Sequence, residues 1–170
     1  MTHIYSFSQT SRLPVGAGMV IRAALCSLFA SGAMAAIAFL LGINLPLLVG
    51  QMLLGSAEYG PHIYFAGGIA HFSIGFVFAL LYAGYIAETR GWCAVTKGLA
   101  YGVVLTGLSI VAFPLVAWVC VQIYGMPLAA PWTGLSALGG AAGPFVEATY
   151  CALMAHIAYG LVLSLLYGDP

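Results

Sequence analysis

The chain has 170 residues, of which 63% are hydrophobic and 5% charged, with four bases balanced by four acids. Mean hydropathy is +1.07. A soluble domain carries about 25% charged residues, so this is the composition of a polytopic membrane protein whose first partner is the lipid bilayer. The neutral balance leaves no basic surface for nucleic acid. Cys26, Cys93, Cys120 and Cys151 show no CxxC spacing, which argues against a zinc knuckle, a redox pair or c-type haem attachment.

Residues 1–16 are polar and mixed, with Arg12 and Pro14 ahead of the first apolar run. That run, over about 18–41, is long enough to span, since ~20 residues cross a ~30 Å hydrocarbon core. Arg12, Arg22 and the AMA at 33–35 would also suit a secretory signal peptide, but the apolar run continues beyond a usual signal core, so a retained span is expected. Ala23, Ser27, Ser31 and Ala35 give it a small-residue face of the kind that lets helices approach closely in lipid. Residues 42–62 are broken by Gly and Pro; the apolar piece 46–54 is too short to span and reads as an interfacial or re-entrant half-helix.

A second span is expected at about 63–87 and a third at about 98–122, joined by a short charged loop. Pro114 interrupts the third, strips the Ile110 carbonyl of its helical donor and predicts a kink. Gly98 and Gly102 on this span permit close packing. A second broken, apolar connection covers 123–145, and a fourth span about 146–167 closes the chain. Aromatic residues near the span ends match an interfacial belt.

The second and fourth spans carry a repeated stretch. Residues 71–82 read HFSIGFVFALLY and residues 156–167 read HIAYGLVLSLLY, sharing His, Gly, Val, Leu, Leu and Tyr. Each histidine heads a stripe of small residues four apart: His71, Gly75, Ala79 and Ala83, then His156, Gly160, Ser164 and Gly168. Residues at that spacing share a helix face. Arg12, Arg22, Arg90 and Lys97 all fall on one side of a four-span path, so the positive-inside rule places both termini and the middle loop in the cytoplasm. The two copies then run parallel, with His71 and His156 at nearly equal depth, ~12–14 Å in. Pro114 falls at the same level.

The fold class expected is thus an all-α integral membrane protein: a four-helix transmembrane bundle of two helical hairpins with a pseudo-two-fold repeat, forming one domain. With HFxxGxxFAxxY on the second span and HxxYGxxLxxLY closing the chain, residues 18–168 resemble a family of small, uncharacterised four-span bacterial inner-membrane proteins. The resemblance implies four helices and a bacterial inner membrane, and it carries no activity.

Three readings of the histidines stand at this point, one of them a quinone site or a proton path at the pair. Converging on the pseudo-axis, His71 and His156 would be axial ligands of one b-type haem or would hold a transition metal, with Gly75 and Gly160 making room for a macrocycle. Alternatively each is a neutral histidine bonded to a Ser, Tyr or backbone carbonyl of a neighbouring helix. Glu147, Cys151 and His62, with Glu58 nearby, form a second and weaker metal candidate. No catalytic signature is present, and no aspartate precedes Asp169. The sequence therefore points to a non-enzymatic structural or accessory component that assembles with itself or with a larger membrane complex. A cofactor-binding protein built on His71 and His156 is the alternative, and passage of a small solute or proton is a third.

Overall fold

The computed structural model describes residues 16–56, 59–125 and 143–168. Five helices are found there: α1 (Ala17–Leu40), α2 (Leu45–Leu54), α3 (Pro61–Tyr85), α4 (Ala94–Tyr124) and α5 (Gly143–Tyr167). Four of them are long and apolar enough to cross a bilayer, and α2 is not. The protein is an all-α, four-helix membrane bundle. The expected tail before residue 16 and the connection over 126–142 lie outside the described residues.

Local chemistry sets the helix ends. Gly42 adopts φ +86° after α1, where the Ile43 amide turns back to the Ala38 carbonyl at 2.8 Å. Asn44 then caps α2, its side-chain oxygen accepting from the Leu47 amide at 3.1 Å, with Pro46 in the first turn where no amide donor is needed. Gly55 closes α2 in the left-handed region at φ +59°. The half-helix expected at 46–54 is therefore a capped helix. It lies flush on α3 because two glycines remove the side chains between them: a Cβ on Gly67 would meet the Pro46 carbonyl and the Gly50 amide, and one on Gly50 would meet the Ile63 carbonyl.

Around the bundle, α3 packs on α1, α1 on α5, and α5 on α4, while α2 caps one end of α3. The small stripes are the buried faces. Ile63, Gly67, His71, Gly75, Ala79 and Ala83 follow one another four apart down α3 and are all buried. The two repeat glycines make the same kind of contact with different neighbours. A Cβ on Gly75 would collide with Ser31 Oγ of α1, whereas a Cβ on Gly160 would lie 2.2 Å from the Gly98 carbonyl and 2.9 Å from the Gly102 amide of α4. Gly98, Gly102 and Gly160 thus form one backbone-to-backbone crossing, and Ser164 of α5 fastens it by donating to the Ala94 carbonyl at 2.5 Å.

Helices α3 and α5 run in the same direction, because equivalent residues meet at both ends of the repeated stretch. His71 and His156 line common cavities, and the Tyr82 and Tyr167 rings meet edge to face with centroids 5.8 Å apart. Tyr101 of α4 joins this aromatic tier, 5.3 Å from Tyr82, and donates to the Phe78 carbonyl at 2.6 Å. The described charged side chains, Arg22, Glu88, Arg90 and Lys97, gather at this end of the bundle. Arg22 bonds the Tyr167 carbonyl and stacks 4.6 Å above its ring, and buried Lys97 donates to the Ala87 carbonyl at 2.8 Å. Helix α4 runs unbroken through Pro114. The expected interruption is not a break in the helix but a carbonyl, that of Ile110, without its usual donor.

Candidate functional site

A gap in the ring of packed helices makes the site. Helices α3 and α4 meet at the aromatic tier through Tyr101. At the opposite end α4 reaches α2, where Tyr124 donates to the Leu53 carbonyl at 3.1 Å and Cys120 to the Met52 carbonyl at 3.4 Å. Between these ties α3 and α4 scarcely touch. A cavity of about 530 Å³ fills the space, with His71, His156, Ser31, Ser109 and Tyr159 as its main polar side chains. Its rim is apolar and uncovered: Ile74 is 51% exposed and Leu108 51%. The cavity faces sideways, toward the acyl chains of a surrounding bilayer. A second cavity of about 380 Å³ shares the same histidines and is lined by Ile43, Leu48, Ile110, Pro114 and Cys151.

The structure brings His71 and His156 together at the junction of the two cavities, both buried. Their bonds differ. His71 Nε2 lies 3.2 Å from the Ser31 carbonyl of α1, the bond to a neighbouring helix that a neutral intramembrane histidine makes. His156 Nδ1 turns back to the Ala152 carbonyl of its own helix at 2.7 Å. A carbonyl only accepts, so His71 carries its proton on Nε2 and His156 on Nδ1. The remaining nitrogens, His71 Nδ1 and His156 Nε2, have no hydrogen-bond partner among the described residues.

The geometry gives the haem expectation no support at the glycines. Gly75 and Gly160 do not make room for a macrocycle, because the space beside each is filled by Ser31 and by the Gly98 backbone respectively. Only Gly75 borders the cavity at all. The described cations, Arg22, Arg90 and Lys97, sit beyond the aromatic tier, away from any propionates at the histidines. The residues do not fit a b-type haem. Among the described residues no three of His, Cys, Asp and Glu converge, and the second metal candidate falls partly outside them. His62 is exposed at the start of α3, and Cys151 is buried against the second cavity. Glu58 and the side chain of Glu147 lie outside the described residues.

Three site residues were not singled out by sequence reasoning as chemistry. Ser31 was read only as packing, yet it supplies the carbonyl that holds His71, and its own hydroxyl is enclosed without a partner. Tyr159, fully buried, donates to the Gly75 carbonyl at 2.5 Å and ties α5 to α3 across the site. Ser109 faces the same cavity from α4. The repeat hid Tyr159, since its counterpart position in the first copy is Ile74.

Fold and site together define a multi-pass helical bundle with a lateral, histidine-lined cavity. No protein-family model, curated protein or solved structure matches the chain.

Proposed function

We propose that this chain is a non-enzymatic bacterial inner-membrane protein, with both termini cytoplasmic, that takes a lipid-soluble small molecule from the bilayer into the cavity between α3 and α4. The observation that carries the reading is the cavity itself. It is of ligand size, about 530 Å³, apolar at its side opening, and both repeat histidines line it. Intramembrane ionisable residues are costly and mark functional sites by default. The resemblance of the two HxxxG stretches to small inner-membrane proteins supports the location, and the clustering of Arg22, Arg90 and Lys97 at one end supports the orientation.

Self-assembly or membership of a larger complex is the second reading. The small-residue faces that motivated it are used inside the chain, Ser31 against Gly75 and Gly98 with Gly102 against Gly160. What still favours it is the apolar connection at 126–142.

The test is photolabelling in lipid nanodiscs with an alkyl diazirine that has no polar head, followed by peptide mapping. The reading expects label on cavity residues such as Ala70 and Ala112 above the level on outward residues such as Val111, and loss of that excess in Ala112→Phe, which fills the cavity. Uniform labelling of all lipid-facing positions, unchanged by Ala112→Phe, would remove it.

A further inference from the structure

The polar groups around the large cavity share a property that sets what can bind. His71 donates to the Ser31 carbonyl, His156 to Ala152, Tyr159 to Gly75 and Ser109 to Thr106 at 2.8 Å. At the α2 end, Tyr124 and Cys120 likewise donate to Leu53 and Met52. Every one of these hydrogens goes to a backbone carbonyl. What remains toward the cavity is lone pairs: Nδ1 of His71, Nε2 of His156, and the oxygens of Ser109 and Tyr159. Among the described residues around the cavity only the Ser31 hydroxyl, enclosed and without a partner, keeps a hydrogen to give. Among the described residues no carboxylate or ammonium lines the cavity.

The geometry points to a site for a neutral, lipid-soluble molecule whose head group is a hydroxyl donor, a phenol or hydroquinone with an alkyl or isoprenoid tail. The head would give its hydrogen to His71 Nδ1 or His156 Nε2, and its tail would leave between α3 and α4 past Ile74 and Leu108. A ketone, quinone or ester of the same shape offers only acceptors, and its head would face the histidine lone pairs with nothing to bond. An ammonium head also donates, but it would enter the hydrocarbon zone with no carboxylate among the described residues to meet it. This inference rests on the lateral cavity being a ligand site and adds the chemistry of the head group.

The test is competition against the headless alkyl diazirine in nanodiscs, under anaerobic conditions, by decyl hydroquinone, decyl benzoquinone and the dimethyl ether of decyl hydroquinone. The three share a tail and differ in whether the head donates. The hydroquinone is expected to displace the label from the Ala70 and Ala112 peptides at a concentration about tenfold below that of the other two, the worth of one hydrogen bond. In His71→Leu or His156→Leu that advantage should shrink. Equal displacement by all three, preference for the quinone, or no displacement by the hydroquinone would overturn the assignment while leaving the cavity as a ligand site. Absence of any excess cavity label before competitor is added would instead remove the underlying reading. Zinc alone or copper alone, bound at one per chain and lost in both histidine variants, would also overturn it, because the two nitrogens would then be metal ligands.

Discussion

Replacing Gly160 by Ala tests the packing that positions His156, and its cost follows from the contacts. The new Cβ would lie 2.2 Å from the Gly98 carbonyl and 2.9 Å from the Gly102 amide, whereas ordinary contact begins near 3.4 Å. The two groups must therefore part by about 1.2 Å. Both obstacles are backbone, so no side chain can swing aside and α4 has to move away from α5. Overpacking of this kind costs about 1–3 kcal/mol, against a helix-propensity gain of about 1 kcal/mol for Gly→Ala. Gly107 on the facing helix α4 is the control, since a Cβ there meets nothing within 4 Å. Unfolding in mixed dodecylmaltoside and SDS micelles, followed by circular dichroism, should place Gly160→Ala about 2 kcal/mol below Gly107→Ala. Equal stability of the two variants would refute the close α4–α5 crossing.

Three further outcomes are expected. Tyr159→Phe removes the 2.5 Å bond to the Gly75 carbonyl between α5 and α3 and should destabilise by about 1 kcal/mol in the same assay, with the aromatic volume unchanged. Lys97→Met leaves the Ala87 carbonyl at the end of α3 without its ammonium donor and should cost about 2 kcal/mol, most of it recovered by Lys97→Arg if that side chain reaches the same oxygen. Cys93 is exposed in the α3–α4 turn, where the Thr96 hydroxyl, 3.2 Å from its sulfur, holds the thiol below its ordinary range. Its alkylation should therefore be fast at neutral pH and level off at lower pH than for a free thiol, while Thr96→Val should slow it at neutral pH. An impermeant maleimide should reach Cys93 only in inside-out vesicles; labelling in right-side-out vesicles would reverse the proposed orientation.

Much of the bundle was legible because its signals are periodic. Four apolar runs of spanning length gave four helices, and stripes at four-residue spacing gave the buried faces of α3 and α5, since a lipid-facing side has no need of Gly75, Ala79 or Ser164. Periodicity says which face is small but not which neighbour meets it. Gly75 and Gly160 occupy matching positions in the repeat, yet one receives a serine of α1 and the other the backbone of α4. That difference leaves Gly75 at the edge of the large cavity and Gly160 away from it. Gly50 and Gly67 carry the docking of α2 on α3, but they lie in different helices with no common motif, so only the fold reveals them as a pair. The cavity was illegible for the same reason: it arises from where α3 and α4 fail to pack. Its acceptor character depends on which carbonyl each donor finds, as when His156 turns to its own helix while His71 reaches across to α1. Pro114 was readable as a lost donor, but not as part of a cavity wall shared with both histidines.

The central claim is that the space between α3 and α4 holds a lipid-soluble molecule. Native mass spectrometry of the protein released from nanodiscs made with its own membrane lipids addresses it most directly. The account predicts one neutral molecule retained per chain, released in Ala112→Phe while that variant still elutes as a folded, monodisperse species. Bare polypeptide in both proteins, or an adduct that survives Ala112→Phe unchanged, would contradict it.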